Sequence, residues 1–293
     1  MPIWPVKLRI TSTVAKGFTA VATLQLIEQK KLTLATHVTE VLPGVFPHMS
    51  AEVTVKHLLT HTSGFEDYCD ETKEVYYDES WNETLTEPRA YLPLIADMGM
   101  EFAPGSKFKY NNGAFVILSL IIEAVSGGGF AQFVTENILQ PAGMIDSGYF
   151  RMDNLPANTA IGYTEDAGQL RPNLYTIPII GGGDGGIYLT ATDLSRFWRA
   201  LSSNTLLQQA TITQAWTPQV RTDEDDLFYG LGFWLINGDQ GVNRVLLVGG
   251  DRGVAARSCY YPQHNAVISV LLNRDSGSYA PYKLLDKCLI GNK

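Results

Sequence analysis

Thr13-Val14-Ala15-Lys16-Gly17-Phe18-Thr19-Ala20-Val21-Ala22-Thr23-Leu24-Gln25-Leu26-Ile27-Glu28-Gln29 reads as a single helix. Val14, Phe18, Val21 and Leu24 recur at the interval that gathers side chains on one face, and Ser12 or Thr13 offers a hydroxyl to the first free N–H groups. The opposite face is nearly as apolar, which puts this helix inside a core. The far end of the chain supplies something to bury it against. Residues 228–236, 244–248, 255–261 and 266–272 are rich in aromatic and β-branched side chains and are separated by Gly, Asn, Asp and Pro turns. Strands that follow one another through short turns predict an antiparallel sheet, with a closing helix over 279–290 lying on it.

Between these ends the pattern is helical. Residues 55–60 and 113–126 read as helices, the second stopped by Gly127-Gly128-Gly129, and Thr190-Ala191-Thr192-Asp193 opens another that runs through Leu201. Residues 66–109 are loop-rich. The fold class expected is α/β of the α+β type: an antiparallel sheet flanked by helices, with an inserted, mainly helical lobe. One catalytic domain over 1–293 is expected, with a sheet part at about 1–50 and 185–293 and the lobe at about 51–184.

Composition narrows the partners. The formal charge is −8 and no basic stripe exists, which disfavours nucleic acid and anionic lipid and points to a small-molecule partner. The longest apolar runs reach about ten residues, short of the roughly 30 Å of a bilayer core, so no membrane span is expected. Met1-Pro2-Ile3-Trp4-Pro5-Val6 lacks the charged and apolar regions of a signal peptide; the compartment stays open, since a longer precursor would change it. Cys69, Cys259 and Cys288 form no C-x-x-C pair and read as three buried thiols, with a single bridge as the alternative, and neither a metal nor another cofactor is called for.

Three short motifs carry chemistry. Thr13 and Lys16, three apart on a helix, share a face, so a desolvated amine there takes a proton from the hydroxyl, the logic of an activated nucleophile. Ser12, four residues from Lys16, is the alternative nucleophile. Tyr110, in Tyr110-Asn111-Asn112, becomes a proton shuttle beside an ammonium, and the Asn112 amide suits a substrate amide. Val248-Gly249-Gly250 ends a strand, and its glycines let backbone N–H groups approach a substrate carbonyl. Each motif alone also has a bland reading: an N-cap with a surface lysine, a loop tyrosine before an Asn cap, a hairpin turn.

Taken in this order, the three resemble the S-x-x-K, Y-x-N and K/H-x-G signature of the serine β-lactamase and penicillin-binding-protein superfamily, especially its class C and carboxylesterase-like branch. Val55-Lys56-His57-Leu58-Leu59-Thr60-His61-Thr62-Ser63-Gly64 and Gly185-Gly186-Ile187-Tyr188-Leu189-Thr190-Ala191-Thr192-Asp193-Leu194 are similar to that branch too, and the likeness runs over about 9–273. The resemblance implies a covalent acyl-enzyme, with Thr13 as nucleophile, Lys16 as the paired amine, Tyr110 as proton relay and Asn112 on the substrate amide. The oxyanion hole would come from N–H groups of Thr13 and of a residue just after Gly249.

Three departures stand out. Threonine replaces serine, and Val248 stands where the branch has a basic or imidazole group for a substrate carboxylate, leaving Arg252 or Arg257 to replace it if one reaches the cleft. The chain also looks N-terminally shortened, which would leave a sheet edge open to pairing with another chain and so to oligomers. The functional expectation is acyl transfer by an esterase, a D-amino-acid peptidase or a β-lactam hydrolase; the alternative is a degenerate homologue that binds acyl or peptide-like ligands without turnover. Gly181-Gly182-Gly183-Asp184-Gly185-Gly186 spells a phosphate loop, but strand follows it and no Lys-Ser/Thr does. His57, His61 and Ser63 lie on one short helix and turn, and read as structural.

Overall fold

The computed structural model describes residues 14–70, 81–166, 168–174, 177–238, 241–275 and 277–291, with the backbone alone at 10–12, 81–82 and 166. Thr13 therefore lies outside the described residues. In chain order, β1 (Ile10–Ser12) precedes α1 (Ala15–Glu28), α2 (Val38–Val41), α3 (Val55–Leu59), α4 (Trp81–Thr84), α5 (Leu92–Ile95), α6 (Asn112–Ser126) and α7 (Phe130–Val134). β2 (Tyr163–Asp166) and β3 (Gln169–Pro172) form a hairpin, and β4 (Ile187–Leu189) pairs antiparallel with β1. Then come α8 (Ala191–Ser202), α9 (Gln209–Ala215), β5 (Val220–Arg221), β6 (Leu227–Tyr229), β7 (Trp234–Gly238), β8 (Gly241–Asp251), β9 (Val254–Tyr261), β10 (Ala266–Leu272) and α10 (Tyr279–Ile290). The strands β10-β9-β8-β7-β6-β5 make one six-stranded sheet, antiparallel throughout.

Period-two alternation gives the sheet two apolar faces. Val245, Leu247, Ala256 and Tyr260 face a large core shared with Phe18 and Val21 of α1, Phe115 and Ile121 of α6, and Phe197 and Trp198 of α8. Leu246, Cys259, Tyr261 and Val270 face the other way, onto Tyr282 of α10. The expected burial of the first helix against the late sheet is therefore seen. Residues 15–24 and 26 of α1 are buried, and Gly17 lets Leu247 of β8 come close, since a Cβ there would stand 2.4 Å from Leu247 Cδ2. Trp198 Nε1 donates to Ser258 Oγ at 2.8 Å and ties α8 to the same face of β9.

Where the structure departs from the sequence reading, the reasons are local. The cap position of α1 is Val14, not a hydroxyl residue, because Ser12 is drawn into β1 opposite Ile187. The stretch 228–236 is two strands: Gly230 N–H donates to Phe233 O, and Leu231 and Phe233 turn into the core, so strand-like composition serves a buried turn. Gly249-Gly250 is strand rather than hairpin turn, paired with Ala256 and Ala255; the turn falls at Arg252-Gly253, where Gly253 has φ +82°. Only Cys259 of the three thiols is buried; Cys69 is half-buried, Cys288 is exposed and no disulfide forms. No single helix among the described residues is long and apolar enough to cross a membrane.

Candidate active site

Lys16 sits in the first turn of α1, 4% exposed. Its Nζ donates to Asn112 Oδ1 at 2.8 Å and to the main-chain oxygen of Asp184 at 2.7 Å. Both acceptors are uncharged carbonyls. These two acceptors leave one position on Nζ open to a third neighbour, an N–H in the ammonium form and the lone pair in the amine form. Burial lowers the Lys16 pKa below its ordinary value; Asp184, Asp67, Asp251 and Cys69 act in the opposite sense without cancelling the shift.

Tyr110 arrives on the segment that leads into α6. Its ring centroid lies 5.0 Å from Lys16 Nζ. The ring is held between Trp234 of β7, stacked at 6.1 Å, and His61, tilted at 4.5 Å. His61 is buried with φ +55°, and its Nδ1 accepts the Asn111 N–H at 3.1 Å, which places the proton on Nε2. Burial, reinforced by Lys16, holds its pKa well below the ordinary value, so the ring is a neutral floor under Tyr110. His57 Nδ1 accepts the Thr54 N–H in a capping box and Ser63 Oγ accepts the Phe65 N–H; neither forms a triad.

Asn112 opens α6, capped by Asn111, whose Oδ1 accepts the Ala114 N–H at 2.7 Å. The Asn112 side chain is committed at both ends: Oδ1 to Lys16, and Nδ2 to Asp67 Oδ2 and Cys69 O, each at 3.1 Å. The structure thus makes it the lysine's partner, whereas the sequence reading aimed it at a substrate amide. Val248 packs with Leu246 toward α10, away from the face Leu247 presents to α1. Opposite it on β9, the Arg257 guanidinium lies over Tyr279 at 5.1 Å and Tyr282 at 5.2 Å, so Arg257 does not turn into the cleft. Arg252 is exposed in the β8–β9 turn. β7 ends opposite Leu246, and the remainder of β8, with Gly249 and Gly250, runs on beside β9.

Sequence reasoning missed the residues around the amine. Asp184 lies in the glycine-rich stretch discounted as a nucleotide loop. The loop is tight because it packs on helices: Thr19 Oγ1 donates to Gly183 O at 2.6 Å, and a Cβ on Gly183 would stand 2.2 Å from Phe115 O. Asp184 Oδ2 accepts the Tyr68 hydroxyl at 2.6 Å; burial raises this carboxyl's pKa while Lys16 and Tyr68 restrain it. Burial, with Asp184 and Asp67, pushes the Cys69 thiol up to about 12, leaving it a thiol rather than a nucleophile. The one sequence signal was the glycine at 183, where the loop lies against α6.

A family model described as Beta-lactamase matches residues 9–286. Among curated proteins, the chain is 28% identical over 279 residues to penicillin-binding protein 4* of Bacillus subtilis (strain 168), covering 90% of this chain and 60% of that protein. It is 31% identical over 170 residues to esterase EstB of Burkholderia gladioli, covering 55% of this chain and 42% of the esterase. A penicillin-binding protein from Bacillus halodurans superposes with a TM-score of 0.89 at 39% identity, covering 97% of this chain and 86% of that one. The chain thus spans about 60% or less of the length of these two curated relatives.

Proposed function

The chain belongs to the beta-lactamase family, and from that premise we propose that it is a hydrolase working by acyl transfer. A hydroxyl at the head of α1 attacks the carbonyl of an ester, a D-amino-acid peptide or a β-lactam. The leaving group departs, and water then cleaves the acyl ester and regenerates the hydroxyl. Thr13 is assigned as nucleophile, with Ser12 as the alternative. Lys16 takes the hydroxyl proton on its lone pair, and Tyr110 passes a proton to the leaving atom. Asn112 holds the amine. Val248, Gly249 and Gly250 contribute backbone, and an N–H following Gly249 joins that of residue 13 around the oxyanion.

The observation that carries this reading is the setting of Lys16: buried, held by two neutral carbonyls, 5.0 Å from the Tyr110 ring. A protein that only binds acyl ligands has no use for a desolvated amine beside a tyrosine, which makes the non-catalytic reading the weaker. With a valine at 248 and Arg257 turned to α10, neither of these positions gives a substrate carboxylate a basic partner, which favours neutral acyl groups over penicillin-like acids. The test is turnover of a p-nitrophenyl ester, a D-amino-acid amide and a cephalosporin, followed from the first seconds. A burst followed by slower steady release is expected for the ester; absence of turnover and of a burst on all three would end the hydrolase assignment.

A further inference from the structure

We propose that Asp67 is a positioning residue of this site: it fixes which end of the Asn112 amide faces Lys16. The kinetic consequence rests on the acyl-transfer reading, while the orientation itself does not.

Asp67 is 7% exposed and lies on the segment between α3 and α4. Its Oδ2 accepts the main-chain N–H of Asn112 at 2.9 Å and the side-chain Nδ2 at 3.1 Å. Its Oδ1 accepts the N–H of Gly113 at 3.0 Å and of Cys69 at 3.3 Å. A carboxylate has only acceptors to offer, so only the NH2 end of a facing amide satisfies it. The second amide hydrogen is taken by the Cys69 carbonyl. With both hydrogens drawn to that side, the oxygen is left for Lys16 at 2.8 Å.

Nothing in the shape of an asparagine decides this. Half a turn about its last bond exchanges oxygen for nitrogen at almost constant volume. Here that half turn would set the Asn112 oxygen against the Asp67 carboxylate and the Cys69 carbonyl with no hydrogen between them, and this buried mismatch excludes it. The same carboxylate takes the first two N–H groups of α6, which have no partner within the helix, and so ties down the segment that carries Tyr110. Asp67 reaches no substrate position itself; it acts through Asn112 and the start of α6.

The test substitutes Asp67→Leu in the full chain, with 13C-lysine and 15N labelling. The groups facing Lys16 are Asp67 and Cys69 on the segment after α3, His61 and Tyr110 beneath it, Asp184 before β4 and Asp251 at the end of β8. The substitution takes both acceptor oxygens away from Asn112 Nδ2 and from the start of α6, and removes one carboxylate. The Asn112 side-chain hydrogens should lose their protection from exchange, and the Lys16 titration midpoint should fall. Acylation by an activated ester should slow about 10- to 100-fold, the scale of a misplaced catalytic group, with KM nearly unchanged. A folded Asp67→Leu protein with unmoved Lys16 and Asn112 signals overturns the proposal. Should the variant not fold, the unsubstituted protein decides: nuclear Overhauser contacts from the Asn112 NH2 to Cys69 support it, and contacts to the Lys16 side-chain methylenes overturn it. If no acyl-enzyme forms in any variant, these spectroscopic results still stand, so the two readings fail separately.

Discussion

A threonine at position 13 differs from serine by one methyl on the carbon that bears the attacking oxygen. That methyl restricts χ1 and crowds the approach of a carbonyl. Thr13→Ser is expected to raise acyl-enzyme formation, by up to about 100-fold if the misplacement approaches 1 Å, while Ser12→Ala leaves the rate nearly unchanged. Ester hydrolysis and covalent labelling of both variants check this; a loss confined to Ser12→Ala would move the nucleophile to Ser12, and no gain with Thr13→Ser would contradict the crowding. The sequence made Thr13, Lys16, Tyr110 and Asn112 candidates because hydroxyl, amine, phenol and amide occur in a recognisable order. It concealed Asp67 and Asp184, since a carboxylate that binds a helix start or a tyrosine from a distant loop leaves no spacing to read. It left open which way Val248 and Arg257 turn, because which face of the sheet a strand residue takes depends on register, and register is settled by β9 and α10.

Among the elements, the glycine-rich loop before β4 does the least conspicuous work. Gly183 lies against α6 so closely that a methyl would meet Phe115 O at 2.2 Å and Ser119 Cβ at 2.9 Å, and backbone yields less readily than a side-chain tip. Gly183→Ala should therefore cost about 1–3 kcal/mol in stability. It should also draw Asp184 O away from Lys16 and slow acylation; urea melts and labelling rates measure both, and a variant with unchanged stability and rate would contradict this packing. The four long helices among the described residues were legible within a residue or two, α1 and α6 from apolar periodicity, α8 from the Thr190 cap, whose Oγ1 accepts the Asp193 N–H at 3.0 Å, and α10 at the end of the chain. The break between β6 and β7 was not, because Leu231 and Phe233 are as apolar as strand residues while they line a turn packed on the core.

At the scale of the molecule, α10 closes the face of the sheet opposite α1, and a polar clamp anchors it: Arg244 Nε donates to Asp286 at 2.9 Å and the Tyr261 hydroxyl at 2.6 Å. Partial burial pushes the Asp286 pKa upward, but the hydrogen bonds from Arg244 and Tyr261 prevail and hold it below its ordinary value. A depressed folded pKa contributes stability that is present above the unfolded value and is lost as pH falls through the folded one. The docking of α10 should thus weaken on acidification below about pH 4, and Asp286→Asn should abolish that pH dependence in hydrogen exchange of α10; an unchanged acid response would assign it elsewhere. The division into a sheet part and a helical lobe remains our proposal for how the cleft is framed, with Lys16 contributed by the first and Tyr110 and Asn112 by the second. Its chemistry is tested most directly by intact-mass measurement of fluorophosphonate labelling across about pH 5 to 10, with the adduct located by peptide mapping, in the unsubstituted chain and in Lys16→Ala. The account predicts one adduct on the peptide holding Ser12 and Thr13, formed faster as pH rises through a midpoint below the ordinary lysine value, and a loss of about 10²- to 10⁴-fold in Lys16→Ala. No adduct, an adduct elsewhere, or a rate indifferent to Lys16 would contradict it.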